Sequence, residues 1–351
     1  MSPFPSLDLP ATCLQQMFDF ARAIYRLKQN PNWLQALENT LPAAATIVPD
    51  QPSLLMGYDF HLTEDGPKLI EINNNAAGLY QRGQWLPQPA WSVWQNKSQL
   101  PQRIIAMFAP SWHTIAIMDE DITQQFMYPE MQGYAKLLAQ DGRRVLLLSP
   151  QDIRASDHGL FHEGDRIDAI YNRHTDFYLE SDALRHIRTA FEAGLVALNP
   201  HPRSYALIGD KSRLADIWQP NLLERCLPAA EVAAIRAVVP PCKRMLGLER
   251  AQIWLERKQW VFKPTARHGG KGVLLGKSIS HSRFDSLDAA DTVLQQLTPP
   301  SSIEVDNVRF KTDFRLYMHG ETPIALAGRI WRGQVTNFRQ AGSGWAIIHI
   351  T

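Results

Sequence analysis

Polar and apolar residues alternate along Tyr58-Asp59-Phe60-His61-Leu62, break at Glu64-Asp65-Gly66, and alternate again along Lys68-Leu69-Ile70-Glu71-Ile72-Asn73. A period of two on either side of turn residues predicts a β-hairpin with one face in a core. Symmetric folding about Asp65 sets Phe60 against Ile70, Tyr58 against Ile72 and Asp59 against Glu71. The outward face then carries Asp59 and Glu71 side by side, with Asn73 two residues further on. Directly opposed like charges destabilise a strand pair, so two carboxylates and an amide oxygen in a row ask for a cation. Magnesium shared with substrate phosphates is the cation that such a small set of hard oxygen ligands suits. Standing alone, the same hairpin also reads as a solvated surface element.

Apolar residues at helical spacing predict helix over residues 11 to 45, with Met17, Phe18, Ala21 and Ile24 on one stripe and a break at Asn30-Pro31. These helices are expected to cover the apolar side of the hairpin. Residues 84 to 111, rich in Trp, Gln and Pro, read as a partly helical connector. From Thr114 the pattern becomes strand and helix in alternation: strand 115–118, helix 128–140, strand 144–148, strand 168–172, helix 184–193, strand 195–199. That order predicts a parallel, Rossmann-like sheet. No GxGxxG follows its first strand, which disfavours a dinucleotide-binding oxidoreductase.

Further on, Asp210 is a candidate N-cap, and residues 222 to 239 read as helix interrupted at Pro228. Trp260 to Pro264 reads as a strand running into a glycine-rich turn, with Val273 to Leu275 leaving it. Residues 288 to 297 read as helix and 303 to 305 as a short strand. From Asp313 the pattern is strand, with Phe314, Leu316 and Met318 facing one way and Asp313, Arg315 and Tyr317 the other. The chain turns at His319-Gly320-Glu321 and returns through Ile324 to Ile330.

A length of 351 residues implies two or three domains, and 45% apolar and 20% charged residues with 24 prolines describe an ordinary globular chain. A formal net charge of +1 argues against nucleic acid as a partner. The three cysteines, Cys13, Cys226 and Cys242, follow no metal or redox spacing, which suggests a reducing compartment. With no secretory pattern at the N-terminus and no run of about 18 apolar residues, the chain reads as cytoplasmic and without a membrane partner. The oligomeric state is left open.

Several residues suit phosphate chemistry. Glycines at 269, 270 and 272 allow backbone N–H groups to approach phosphates, while Lys263 and Lys271 supply charge. Lys211, at a predicted helix start, is a candidate second phosphate contact, and taken by itself reads as a surface lysine. Arg315 and Arg329 can neutralise charge developing on a transferred phosphoryl group, although an ion pair of Arg315 with Asp313 would serve structure alone. Thr336-Asn337 followed by Gly342 and Gly344 is a candidate ligand-facing loop, or an ordinary polar turn.

The order of these pieces resembles the ATP-grasp superfamily. Asp210-Lys211 comes first, then Val261-Phe262-Lys263-Pro264 with its glycines, Asp313-Phe314-Arg315, Arg329 and Thr336-Asn337. Members of that family continue to an acidic residue and a Glu-x-Asn metal motif, whereas here the matching Asp59 and Glu71-Ile72-Asn73 lie near the other end. The chain therefore resembles a circularly permuted ATP-grasp protein, similar to eukaryotic glutathione synthetase and, at the hairpin, to glutathionylspermidine synthetase.

The resemblance implies an α/β fold of four units. Residues 1–110 carry the helices and metal hairpin, 111–205 a Rossmann-like pre-ATP-grasp domain, 206–305 the lid, and 306–351 the rest of the catalytic half. It implies ATP and Mg²⁺, with Asp59, Glu71 and Asn73 as metal ligands. Lys211, Lys263 and the run His268, Gly269, Gly270 and Lys271 would contact phosphates, Glu304 would lie at the hinge beside adenine, and Asn337 would line the nucleotide. Arg329, assisted by Arg315, would be catalytic. Arg267-His268 stands where glutathione synthetases have an acidic metal ligand, and the glutathione-holding residues of that family are not recognisable. The implied activity is an ATP-dependent carboxylate–amine ligase that forms an acyl-phosphate and passes it to an amine. A small-molecule kinase on the same fold and a nucleotide-binding protein without turnover are the alternatives.

Overall fold

The computed structural model describes residues 5–79, 99–265, 272–334, 336 and 342–351. Its centre is a seven-stranded sheet in the order Ser6–Leu9, Gly344–Ile350, Thr322–Trp331, Val308–His319, Met56–Thr63 and Gly66–Asn73, with Ser302–Val305 added on Val308–His319. The strand pairs are antiparallel except the first, Ser6–Leu9 alongside Gly344–Ile350. Neither of those two strands is singled out by the sequence pattern.

The predicted hairpin forms, with one departure in register. Tyr58 faces Ile72 and Asp59 faces Glu71, but Phe60 then faces Leu69 rather than Ile70. Ile70 is the extra residue of a β-bulge, which frees its carbonyl from the ladder. Tyr58, Phe60, Phe314, Leu316 and Met318 are buried on one face. The helix Ala11–Leu27 covers them with its own stripe of Leu14, Met17, Phe18, Ala21 and Ile24. Phe20 meets Tyr58 and Phe60 edge-on, with ring centroids 6.0 and 5.8 Å away.

Residues 11 to 45 form helices Ala11–Leu27, Pro31–Leu37 and Ala43–Thr46 rather than one element. The break falls at Asn30-Pro31, where the Asn30 side chain accepts from the Asn32 N–H at 2.9 Å and caps the second helix. Of the connector expected over 84–111, residues 84–98 lie outside the described residues, and Leu100–Ala106 is helix.

Four parallel strands make a separate sheet in the order Ala197–Asn199, Ala169–Asn172, Thr114–Met118 and Arg144–Leu148. Helix Tyr128–Gln140 lies as expected, and Arg185–Glu192 forms within the expected 184–193. A three-stranded antiparallel sheet, Arg154–Ser156, Gly159–His162 and Asp165–Ile167, is interposed without forewarning from the sequence. Helices Leu222–Cys226 and Ala229–Val238 flank Pro228 as the pattern predicts.

The remaining sheet is antiparallel, in the order Cys242–Arg244, Thr292–Gln296, Trp260–Pro264 and Leu274–Leu275. Here the helix expected over 288–297 is overturned. Val293 and Gln295 face away from Leu294, which packs with Phe262 and Phe284, so the period is two and the segment is a central strand. Among the described residues no helix is long and apolar enough to cross a membrane.

Candidate active site

Antiparallel registers bring the charged residues of the central sheet together. Asp59 sits between Glu71 on one neighbouring strand and Arg315 on the other, and Asp313 sits opposite Arg329. Side chains two residues apart on a strand share a face, so Asp59, Glu71, Asn73, Asp313, Arg315 and Arg329 converge on the side away from helix Ala11–Leu27. Further along, that face is apolar through Tyr317, Ala325, Ala327 and Trp345, which join the core under helices Leu100–Ala106 and Tyr128–Gln140.

Asp59 is only 3% exposed, which removes the solvated-hairpin reading. Arg315 grips it with both arms of its guanidinium, Nε to Oδ1 and Nη2 to Oδ2, each at 2.6 Å. Arg329 adds Nη2 to Oδ2 at 2.9 Å, and its Nε donates to Asp313 Oδ1. The Thr336 hydroxyl donates to the other Asp313 oxygen at 2.7 Å. The expected pair of Arg315 with Asp313 is thus corrected: Asp313 belongs to Arg329, and Arg315 belongs to Asp59. The reason is register, since the facing residue of the neighbouring strand is closer than the same-face residue two positions along.

Burial raises the Asp59 carboxyl, but Arg315 and then Arg329 outweigh it and hold the group well below the usual carboxylate range. Asp313 goes the other way, pushed up by complete burial that Arg329 only partly offsets. Arg329 therefore bridges one firmly ionised carboxylate and one reluctant one, while Arg315 braces the first from its other side.

Lys263, on Trp260–Pro264, reaches from the smaller sheet and donates to the Ile70 carbonyl at 2.6 Å. Gln295 on the adjacent strand donates to the Leu69 carbonyl at 2.9 Å. Burial lowers the Lys263 ammonium to about 8, against a pull from Glu71, and the charge of Lys211 lies within electrostatic reach. Lys211 is itself 9% exposed and immediately precedes helix Ser212–Asp216. Asp210 Oδ1 takes the Ser212 N–H at 2.8 Å, but it stands one position ahead of Lys211, which occupies the N-cap place expected of Asp210.

Two residues missed by the sequence reading lie beside these cations. His61 follows Asp59 by two positions, and Trp331 follows Arg329 by two, a signal the alternation already contained. Their rings lie 6.0 Å apart and within 16° of parallel. Burial pulls the imidazole down to about 4, opposed by the Thr298 carbonyl and assisted by Lys263 and Arg329. The neutral ring must then donate from Nδ1 to that carbonyl, 2.7 Å away, which leaves Nε2 as an acceptor. Trp331 Nε1 is buried with no hydrogen-bond partner among the described residues. An unfilled donor beside an acceptor nitrogen fits a flat, hydrogen-bonding ligand such as a nucleobase.

The metal-ligand candidates are adjacent, but they are not equally open. Asn73 Nδ2 lies 3.2 Å from Glu71 Oε1 and 3.4 Å from Asp59 Oδ2, and the amide can present its oxygen instead by rotation. Both oxygens of Asp59 are already held by arginines, whereas Glu71 makes no ion pair among the described residues. Among the described residues no three His, Cys, Asp or Glu side chains cluster as a metal site. Glu71 and Asn73, two hard oxygen donors that no arginine engages, are the part of the set whose chemistry fits Mg²⁺.

The remaining candidates are not gathered here. Glu304 is exposed on Ser302–Val305, opposite Arg309. His268, Gly269, Gly270, Lys271 and Asn337 lie outside the described residues.

No family model matches the sequence, and no curated protein matches it. Solved structures do. A glutathione synthetase-like effector (GSS30) from Globodera pallida, in its apo form, aligns with a TM-score of 0.63 and 12% identity over 99% of this chain and 89% of its own. A candidate gamma-glutamylcysteine synthetase from Methylobacillus flagellatus KT aligns with a TM-score of 0.54 and 13% identity over 89% of this chain and 82% of its own. At such identities the likeness speaks of fold, and the fold is mixed α/β of the ATP-grasp type.

Proposed function

We propose that this ATP-grasp-type chain is an ATP- and Mg²⁺-dependent ligase that joins a carboxylate to an amine through an acyl-phosphate. The observation that carries the reading is the buried row Arg315, Asp59, Arg329 and Asp313 facing Lys263. Phosphoryl transfer asks the protein for positioned positive charge and little covalent work, and this row supplies fixed guanidiniums with no nucleophile among them.

In this reading Lys263 and Lys211 hold the ATP phosphates, and Glu71 with Asn73 holds the metal beside Asp59. When bound, Mg²⁺ draws charge from the phosphate oxygens. His61 and Trp331 border the base, the indole N–H gaining the partner it lacks. Arg329, steadied by Asp59 and Asp313, would face the terminal phosphoryl group of ATP as a substrate carboxylate attacks it and ADP leaves, and Arg315 keeps Asp59 in place. An amine then attacks the activated carbonyl and phosphate leaves.

Calorimetry of ATP binding with and without Mg²⁺, followed by phosphate-release assays, tests this. Mg²⁺-dependent binding and phosphate release that needs both a carboxylate and an amine are expected. A phosphorylated product with no free phosphate would replace the ligase by a kinase, and absence of ATP binding would overturn both.

A further inference from the structure

A cavity of about 430 Å³ lies between helix Pro31–Leu37, helix Ser212–Asp216 and the sheet that carries Lys263. No residue of the charged row lines it. Its volume falls within the range of about 300–1,000 Å³ that small-molecule sites occupy, and eight of its twelve lining residues are polar or charged. We propose that it is an effector site for a hydroxylated organic anion, a phosphate ester or a carboxylate, whose acidic group binds Arg244 and whose hydroxyls donate to Asp210. The site itself does not depend on the ligase reading, whereas its effect on ATP does.

One buried carboxylate here serves two guanidiniums. Asp216, 1% exposed, accepts Arg213 Nη1 on Oδ2 and Arg244 Nη2 on Oδ1, each at 2.7 Å, and Gln219 Nε2 also donates to Oδ1 at 3.0 Å. Arg213 is spent: its Nε donates to the Ala206 carbonyl at 2.6 Å and its Nη2 to the Thr40 hydroxyl at 3.2 Å. The surplus charge therefore rests on Arg244, whose side chain is 42% exposed and whose Nε and Nη1 have no partner among the described residues. Held by one arm and open on the others, it is the group that a phosphate or carboxylate would meet. Asp210 supplies the acceptor: Oδ1 takes the Ser212 N–H at 2.8 Å, and Oδ2 receives no hydrogen bond from a described residue. A carboxylate repels a second bare anion but accepts from hydroxyl groups, so the occupant is an anion that carries hydroxyls rather than inorganic phosphate alone.

The cavity also adjoins both lysines proposed to hold ATP phosphates. Arg244 and Lys263 each lie opposite Val293, on the strands to either side of it, so their side chains share a face of the sheet. Asp210 and Ser212, both in the lining, flank Lys211, and Thr265 on the other wall follows Lys263 by two positions. The pair Asp216 and Arg244 already joins the two sides. An occupant that bridges Arg244 and Asp210 ties the sheet bearing Lys263 more firmly to the segment bearing Lys211. ATP needs those two lysines together, so the occupant raises ATP affinity, and ATP raises affinity for the occupant by the same factor.

The test is calorimetry on the full chain with ribose 5-phosphate, glucose 6-phosphate, 3-phosphoglycerate and gluconate, with glucose and inorganic phosphate as controls. It is run on the wild type, Arg244→Gln and Ala36→Trp, the last of which fills the cavity from helix Pro31–Leu37 without altering a charge. Expected is binding of at least one of the hydroxylated anions, weakened about tenfold or more in both variants, with both controls weaker than that anion by about tenfold. A phosphate ester or gluconate as the tightest binder identifies the acidic group. No binding by any of them, binding unaltered in Ala36→Trp, or inorganic phosphate bound as tightly as the esters (an adventitious ion only) overturns the proposal. ATP and Mg²⁺ are then titrated with and without the bound anion. ATP affinity should rise about fivefold or more in the wild type and stay unchanged in Ala36→Trp, and an unchanged wild-type affinity overturns the effector role. Anion binding with no ATP binding would sink the ligase reading and leave this site standing, whereas ATP turnover with no anion binding would do the reverse.

Discussion

Lys263 Nζ donates to the carbonyl of Ile70 at 2.6 Å, and Ile70 is the bulged residue of the hairpin that carries Glu71. The extra residue turns a carbonyl out of the ladder, and a buried ammonium from a different sheet takes it up. The cation proposed to hold phosphate and the carboxylate proposed to hold the metal are thereby set side by side.

That ammonium gives nucleotide binding a pH dependence. An unfolded lysine titrates at about 10.4, whereas burial lowers Lys263 to about 8. Between those values the unfolded chain holds more protons, so stability rises with pH across the window, and below about 8 the buried charge weighs on the fold in full. Phosphate needs the ammonium, so ATP affinity is expected to fall about tenfold from pH 7 to pH 9. Calorimetry in Lys263→Met should show weaker binding with a flat pH profile, and a flat profile in the wild type would take Lys263 out of the phosphate site.

Glu71→Gln removes the charge proposed to face the metal and no core atom. Mg²⁺-dependent ATP turnover should be abolished while the thermal midpoint moves by no more than a few degrees. Turnover at the wild-type rate would show that the hairpin holds no essential metal.

The pair of Asp59 and Arg315 is the electrostatic weak point of the sheet. Arg315→Ala leaves Asp59, 3% exposed, with Arg329 alone and should cost about 3–5 kcal/mol in urea unfolding. The double variant Asp59→Asn/Arg315→Ala should cost less than the sum of the two single changes. Strict additivity would mean that the two groups do not stabilise each other.

Gly276 sits where the smaller sheet folds over its own chain. A Cβ there would lie 1.8 Å from the Arg257 carbonyl oxygen and 2.9 Å from that of Trp260. Gly276→Ala should therefore destabilise by about 1–3 kcal/mol and weaken ATP binding through misplacement of Lys263. Unaltered unfolding and affinity would show that this sheet shifts to accept a methyl group at no cost.

The alternation of Tyr58 to Leu62 and of Lys68 to Asn73 was enough to place the hairpin and the facing of Asp59 and Glu71, because strand geometry follows from local period. The parallel sheet was equally readable from its alternation of strand and helix. The bulge was not, since neither glycine nor proline marks Ile70. Residues 288 to 297 misled because Val293, Leu294 and Gln295 are all buried in a central strand, where polarity no longer separates the two faces. The partner of Arg315 was out of reach for a different reason: register between strands that are distant in sequence is decided by packing, which no local window contains.

That distance also has a bearing on how the protein comes into being. Asp59 and Arg315 stand 256 positions apart along the chain. During synthesis Asp59 leaves the ribosome long before its counterion exists, and at about 5–20 residues per second it waits some tens of seconds. For that interval the hairpin lacks the strand that pairs with Asp59, and its apolar face has helix Ala11–Leu27 and the later helix Ala229–Val238 for shelter. The charged row is thus completed only when the strand that carries Arg315 is made, and a chain interrupted before it would carry Asp59 without the bases that restrain it.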